Sequence, residues 1–435
     1  MQIRNARVAV IGGGYAGLSA ASELASNGIE TVVFEASPTL GGRARGITFK
    51  NAGLDNGAHI FSGAYKETLR IMQLVGASIN SFLRIPLQIE IKDHFHLKAT
   101  PLPTPFNLIG AIVFARGLSI SERWQFLRFM LAMHRCSFRL LEDTFFTDLL
   151  NQFDQSMGLQ KYFWEPICVA ALNTLPKDAS AQIFLNVLRD GVVNGNKHDS
   201  DFLLPRVDLS CVFPNQAAKF IEEKKGMVKL LSPVDNIAVL DDGTIVISSK
   251  NKLERFDALI LAVGPHQTDK LLKNLPEMKF FRDQIERFTY EPICTVYLKY
   301  DVDIMLPSPM LGLDSNLIHW IFDRQISHNQ KGLIAAVTSA NGSHLELTKE
   351  DLVSKVTAEI SRHFSHLKNP LWAKVITEKF ATFSCTPNLK RPGNVTPIKN
   401  FFIAGDYTDS EYPATIESAV RSGVKCAHLL MAEAS

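Results

Sequence analysis

The stretch RVAVIGGGYAGLSAASELASNGIETVVFEAS, residues 7–37, admits few folds. Arg7 to Ile11 is a short, mostly β-branched run of the kind that forms a strand buried on both faces. Gly12, Gly14 and Gly17 follow as G-x-G-x-x-G and open a helix with an apolar stripe at Leu18, Ala21 and Leu24, ended by Asn27-Gly28. The next strand, TVVFE, finishes at Glu35, with Ala36 after it. The first glycine permits a tight turn, the second lets the backbone approach a pyrophosphate, and the third lets helix and strand pack closely. The helix start at Tyr15 and Ala16 then presents amide N–H groups and the positive end of the helix dipole to phosphates. A purely structural turn competes with this reading. The preceding strand, the following helix and a carboxylate placed for ribose hydroxyls favour a dinucleotide. An acid rather than a base at Glu35 disfavours a 2′-phosphate, which puts FAD or NAD ahead of NADP.

The next segment, SPTLGGRARG, separates those two. Gly41-Gly42 gives another close backbone approach, with the cation of Arg43 beside it. NAD does not need this second element, whereas FAD, with its ribityl chain and large ring, can use it. LDNGAHIF follows and sets Asp55 and His59 around an Asn-Gly turn. Both are candidate catalytic groups, and both read equally well as scaffold: an acid holding a turn, a hydrogen-bonded loop histidine. Near the other end, IAGD (403–406) stops an apolar strand at Gly405-Asp406, and PATIESAV (413–420) opens a helix. A carboxylate there is either a ligand-facing acceptor or a helix N-cap.

Composition removes other classes. The formal charge of +2 over 435 residues gives no electrostatic footprint for nucleic acid. Six cysteines are scattered with no CxxC and no metal-ligand spacing, so reduced thiols and no metal are expected. The chain enters a strand too soon for a signal peptide, and no apolar run reaches the roughly 18 residues needed to cross a bilayer. A cytoplasmic location is expected.

Further along, residues 228–248 read as a strand and hairpin with Asp-Gly at the turn, and FDALILAVGP (256–265) as a buried strand. No second G-x-G-x-x-G follows a strand, so no separate nicotinamide domain is expected. The fold class is α/β: a discontinuous Rossmann-type FAD-binding domain (1–84, 216–275 and 381–435) with an inserted sheet-plus-helix substrate domain (85–215 and 276–380). In the first insertion Trp124, Phe126, Phe129 and Met130 mix with Arg123, Arg128, Arg135 and Arg139. At helical spacing this is either a core stripe with solvated arginines or a face lying on a membrane.

The glycine fingerprint, Glu35, LGGRAR and IAGD resemble the superfamily of FAD-dependent amine oxidases and carotenoid desaturases. That resemblance implies an amine-oxidase-like arrangement. Backbone near Val234 would contact adenine, Gly405 and Asp406 would meet the ribityl or pyrophosphate region, and N–H groups near Thr415 and Ile416 would face the flavin ring. Over nearly the whole chain, LDNGAHIFSGAYKETLRIMQLVG, FLRIPLQ, ALNTLPKDASAQIFLNVLRD, LLPRVDLS, YEPICTVYL and ATFSCTP resemble the squalene-associated FAD-dependent desaturases, the hydroxysqualene dehydroxylase family. The resemblance implies that hydride from reduced flavin replaces the hydroxyl of hydroxysqualene, giving squalene for hopanoid-type triterpenes. It also implies a long apolar isoprenoid substrate, and NADPH or a separate reductase as electron donor. A proton donor is expected for the departing hydroxide: Asp55 and His59 are the nominees, with Cys385 and Tyr412 as alternatives. A substrate dissolved in the bilayer also strengthens the membrane-surface reading, with peripheral contact at the inner face. A carotenoid desaturase, an amine oxidase and a flavin-free prenyl carrier are the competing readings.

Overall fold

A computed structural model describes residues 6–102, 106–193, 196 and 198–433. The opening motif folds as its pattern requires. Strand β1 (Arg7–Ile11) leads through the glycine turn into helix α1 (Tyr15–Ser26), and strand β2 (Glu30–Phe34) pairs parallel to β1. Three more parallel strands complete the sheet, in the order Met227–Lys229, β2, β1, Ala258–Leu261, Phe401–Ile403. These strands are short and apolar because both faces are covered: Val8, Val10, Val33, Ile260 and Ile403 have no exposed surface. Burying such a side chain contributes roughly 1.5–3 kcal/mol. Helix Ile416–Glu433 packs on α1 so closely that a Cβ on Gly423 would lie 2.0 Å from the Ala16 carbonyl oxygen. The start of the chain and its end therefore build one layer.

Beside this sheet, strands Val234–Val239, Ile245–Ser249 and Lys252–Phe256 form an antiparallel meander turned at Asp242-Gly243. A second, seven-stranded sheet runs in the order Trp372–Phe383, Tyr290–Lys299, Leu333–Ser339, Trp320–Asp323, Met310–Gly312, Gln88–Ile91, Phe95–Lys98. Its strands alternate. Cys294, Val296, Leu298, Ile334 and Ala336 pack under helix Lys349–His363, while Tyr297, Ala335, Val337, Trp320 and Phe322 belong to the large apolar body shared with the other face of the first sheet. Strand Phe202–Pro205 pairs with Phe61–Ser62 and Phe82–Ile85, and Leu209, Val212 and Phe213 pack with α1.

The aromatic helical insertion divides in two. Helix Ile120–Arg135 turns Phe126, Phe129 and Met133 inward, where Phe126 stacks on Trp164 at 5.3 Å. Trp124 points outward and is 69% exposed, so the segment is neither wholly core nor wholly surface. Arg139 departs from the expected helical register. The helix ends at Arg135, and Ser137 and Phe138 take positive φ of 53° and 57°.

Candidate functional site

The glycine turn sits where β1 ends. Gly12 has φ +112°, and a Cβ there would lie 2.4 Å from the Ala262 carbonyl oxygen; one on Gly17 would lie 2.0 Å from the oxygen of Gly12. These two glycines close the turn onto the neighbouring strand. Gly14 is different. Its backbone is extended (φ −81°, ψ −178°), no side chain caps α1 at this position, and its missing Cβ would meet only Gly42 Cα, at 3.8 Å. Gly13 and Gly41 are joined by an N–H···O bond of 2.8 Å, so the first and second glycine elements lie side by side. The helix start is left open toward Gly42, as a group carrying phosphates requires. Tyr15 and Ala16 are buried; the Tyr15 ring packs on Phe213 at 5.1 Å, leaving its backbone to serve a ligand.

Glu35 follows β2 directly. Its Oε2 accepts from Gly13 N at 2.7 Å and its Oε1 from Ser37 N at 2.7 Å, so the acid is fixed against the glycine turn. Ser232 N donates to the Glu35 carbonyl at 2.8 Å, which brings the chain toward Val234 beside Glu35 and Ala36. Arg43 and Asp406 meet across the molecule: Arg43 Nη2 lies 2.5 Å from Asp406 Oδ1, and Nη1 donates to the Ala381 carbonyl at 2.7 Å. Burial alone would lower the arginine's pKa, but the Asp406 carboxylate outweighs it and the pKa is raised. The Arg43 side chain keeps 35% of its surface while Asp406 keeps 7%, so the cation retains a free side. Gly405 holds the approach: a Cβ there would lie 2.4 Å from the Tyr407 ring. The cap of the last helix is Thr415, whose Oγ1 accepts from Ser418 N at 3.2 Å, with Ile416 as the first helical residue. Asp406 is therefore bound to Arg43 and is not that helix's cap.

Asp55 and His59 part company. Asp55 is 3% exposed; Oδ1 accepts from Leu209 N at 2.8 Å and Oδ2 from Arg324 Nη1 at 2.8 Å. Arg324 is equally sealed and also donates to the Gly53 carbonyl at 3.1 Å, while Tyr297 Oη donates to the Asp55 carbonyl at 3.0 Å. Both carboxylate oxygens are engaged, which favours scaffold over proton donor for Asp55. His59 is partly exposed, and its Nδ1 lies 2.9 Å from the Gly57 carbonyl oxygen. Burial lowers its pKa, against the Gly57 bond and Asp55, with Arg43 lowering it further. The imidazole is thus held neutral, Nδ1–H donating to Gly57 and Nε2 bearing a lone pair. Cys385 is buried, its thiol pushed up to about 12 by burial, and Tyr412 Oη donates to Asp190 Oδ2 at 2.5 Å.

Three residues that single-sequence reading missed complete this region. Arg324 and Tyr297 anchor the Asp55 loop, and Thr295 is fully buried with an unpartnered Oγ1. The Cβ position of Gly57 lies 3.9 Å from Thr295 Oγ1 and 3.7 Å from His59 Cε1, so hydroxyl and imidazole border one small space. Alternation along YEPICTVYLKY puts Thr295 and Tyr297 on one strand face, but nothing local says which face meets the loop.

Residues 15–431 match the family of flavin containing amine oxidoreductases. A hydroxysqualene dehydroxylase of Sinorhizobium fredii is 28% identical over 441 residues, covering 98% of both chains. A 15-cis-phytoene desaturase of Synechococcus elongatus is 24% identical over 472 residues, covering 98% of this chain and 96% of that one. The crystal structure of an oxidoreductase from Methanosarcina mazei superposes with a TM-score of 0.74 at 15% identity, covering 97% of this chain and 100% of the other. The open helix start, the Gly14–Gly42 approach and the Arg43–Asp406 pair suit the long phosphate-bearing cofactor of that family. With its parallel-sheet nucleotide domain beside a mixed substrate sheet, the chain belongs to the flavin-containing amine oxidoreductase family and is an FAD-dependent oxidoreductase.

Proposed function

We propose that this enzyme reductively dehydroxylates hydroxysqualene to squalene. The observation that carries the reading is end-to-end similarity to a hydroxysqualene dehydroxylase, 98% of each chain. The site's chemistry agrees with it. Tyr297, Ala335, Val337, Trp320 and Phe322 pack into an apolar body on that face of the second sheet, and the polar side chains that border Gly57 in the Asp55 loop are Thr295 and His59. A hydrocarbon with a single hydroxyl suits mainly apolar surroundings of this kind, since each unmatched polar group would carry a desolvation cost.

In this reading the N–H groups at Gly14, Tyr15 and Ala16, the Glu35 carboxylate, and the Arg43–Asp406 pair with Gly42 and Gly405 would hold FAD. The segment around Val234 would serve its adenine end and the N–H groups near Thr415 and Ile416 its ring. FAD bound there in its reduced form would supply the hydride that replaces the hydroxyl, which with one proton gives squalene and water. His59 Nε2, a lone-pair acceptor, would accept from the substrate hydroxyl and orient it, while Asp55, with both oxygens engaged, would hold the loop. Apolar surroundings would keep bulk water from the carbon that loses its hydroxyl. NADPH or a partner reductase would supply the electrons.

The second reading, a carotenoid desaturase, rests on the full-length similarity to the phytoene desaturase. Anaerobic incubation of photoreduced holoenzyme with hydroxysqualene, and of oxidised holoenzyme with phytoene, separates them. Squalene from the first supports the proposal. Dehydrogenated phytoene from the second, with hydroxysqualene untouched, overturns it.

A further inference from the structure

Helix Phe106–Phe114 and helix Ile120–Arg135 bury one side against the body of the protein and leave the other uncovered. On the first, Asn107, Ala111 and Ile112 are buried, while Phe106, Ile109 and Val113, at i, i+3 and i+7, are 59%, 42% and 43% exposed and Phe114 is 75% exposed. On the second, Ile120, Trp124 and Leu131 are 74%, 69% and 50% exposed, opposite the buried Phe126, Phe129 and Met133. Single exposed apolar residues are ordinary, but two adjoining helices each carrying an apolar stripe at helical spacing are not. No helix among the described residues is long and apolar enough to cross a membrane.

Charge identifies the occupant. Between Phe106 and Arg139 stand five arginines (116, 123, 128, 135 and 139) and one carboxylate, Glu122. Glu122 is engaged in the Ser119 capping box and accepts from Ser156 Oγ at 2.7 Å. Arg123 donates to the Val113 and Ala115 carbonyls at 2.7 and 2.9 Å, satisfying carbonyls at the end of the first helix that would otherwise be costly in a low-dielectric layer. Arg116, Arg135 and Arg139 are exposed, and Arg128 pairs with Asp154. Apolar side chains protruding from a cationic rim complement an anionic bilayer surface. A second copy of this chain fits worse, because a two-fold contact would set like-charged rims against each other.

We infer that the 106–114 and 120–135 helices form a monotopic docking face that seats the enzyme on anionic lipid. Trp124 and Phe114 enter the headgroup boundary and the arginines meet lipid phosphates. The inference rests on the proposed function only in giving the face its purpose, access to an isoprenoid dissolved in the bilayer.

The test uses full-length holoenzyme, with vesicles of phosphatidylcholine alone or mixed with phosphatidylglycerol, read by sedimentation and by tryptophan emission. The wild type is expected to bind the anionic vesicles with a blue shift that Trp124→Phe removes. Phe114→Ser/Ile120→Ser/Trp124→Ser is expected to lose about tenfold or more in partitioning, and Arg116→Gln/Arg135→Gln/Arg139→Gln to lose only the anionic preference. The serine variant should retain its flavin spectrum and its turnover of detergent-dispersed substrate. Wild type that stays in the supernatant, or serine variants that bind like wild type, overturns the docking face. So does a dimer that the serine variant converts to monomer with no change in vesicle binding. Vesicle binding without any turnover of hydroxysqualene would instead count against the proposed reaction and leave the docking face standing.

Discussion

Two arginine–carboxylate pairs tie distant parts of this chain together, and they do different work. Arg43–Asp406 joins the second glycine element to the last strand, with 35% of the arginine side chain open. Arg324–Asp55 joins the substrate sheet to the LDNG loop, with both side chains 4% exposed. The chemistry of the two pairs is the same, so the surroundings set the role. A pair with a free side can share its charges with an incoming ligand. A sealed pair has its hydrogen bonds filled by Leu209 N and the Gly53 carbonyl and can only hold structure. Its charges also lack the option of solvent, which makes loss of one partner severe.

The largest effect should come from breaking the sealed pair. Arg324→Leu leaves the Asp55 carboxylate buried without its cation and should lower unfolding free energy by about 3–5 kcal/mol. Asp55→Leu/Arg324→Met together should recover much of that. Urea unfolding of the two variants checks it, and an Arg324→Leu midpoint equal to wild type would remove the distinction drawn here.

Acidification acts on the same region. His328 lies 3.8 Å from Asp55, and burial, then Arg324, lowers its pKa to about 3. Its folded-state pKa lies below the ordinary histidine value of about 6.5, so the unfolded chain binds the proton first as pH falls. The stability due to neutral His328 is therefore full above about pH 6.5 and declines between there and about 3, at roughly 1.4 kcal/mol per unit at most. His319, lowered to about 4 by burial and then by His344, adds to the slope. Unfolding midpoints against pH should fall over this window, and His328→Gln should flatten the curve.

At the open site, Gly14→Ala separates ligand from scaffold. The backbone there is extended and the added methyl meets only Gly42 Cα at 3.8 Å, so the flavin-free protein should lose no more than about 1 kcal/mol, the ordinary cost of alanine in place of glycine at a helix N-cap. A methyl in the pyrophosphate approach should weaken FAD binding about tenfold or more, ~1.4 kcal/mol, as read by fluorescence titration. Full FAD affinity in this variant would place the cofactor elsewhere. The smallest effect is expected for Asp406→Asn. A partly open pair contributes up to about 1 kcal/mol, so thermal stability should hardly move while FAD affinity falls several-fold.

Much of the cofactor half could be read directly. The β1–turn–α1–β2 unit, the paired glycine elements and the Gly-Asp strand end are written in short windows where period, turn chemistry and capping all agree. The hairpin turned at Asp242-Gly243 followed from local pattern in the same way. The LDNGAH motif showed the limit of such reading: its sequence gave Asp55 and His59 equal standing as site or scaffold. The structure gave one a buried cation and the other a neutral ring with a free nitrogen. The aromatic–arginine stretch was ambiguous for a similar reason, since periodicity shows that a helix has faces without showing what each face meets.

What the sequence by itself determined was local: a helix start behind a glycine turn, a carboxylate just past the second strand, and apolar strands that must be covered. What only the tertiary structure decided was partnership across distance, Asp55 with Arg324 at 269 residues' separation and Asp406 with Arg43 at 363. Backbone preference acts over a few residues, whereas the meaning of a charge depends on which remote groups packing brings to it and how much water packing leaves.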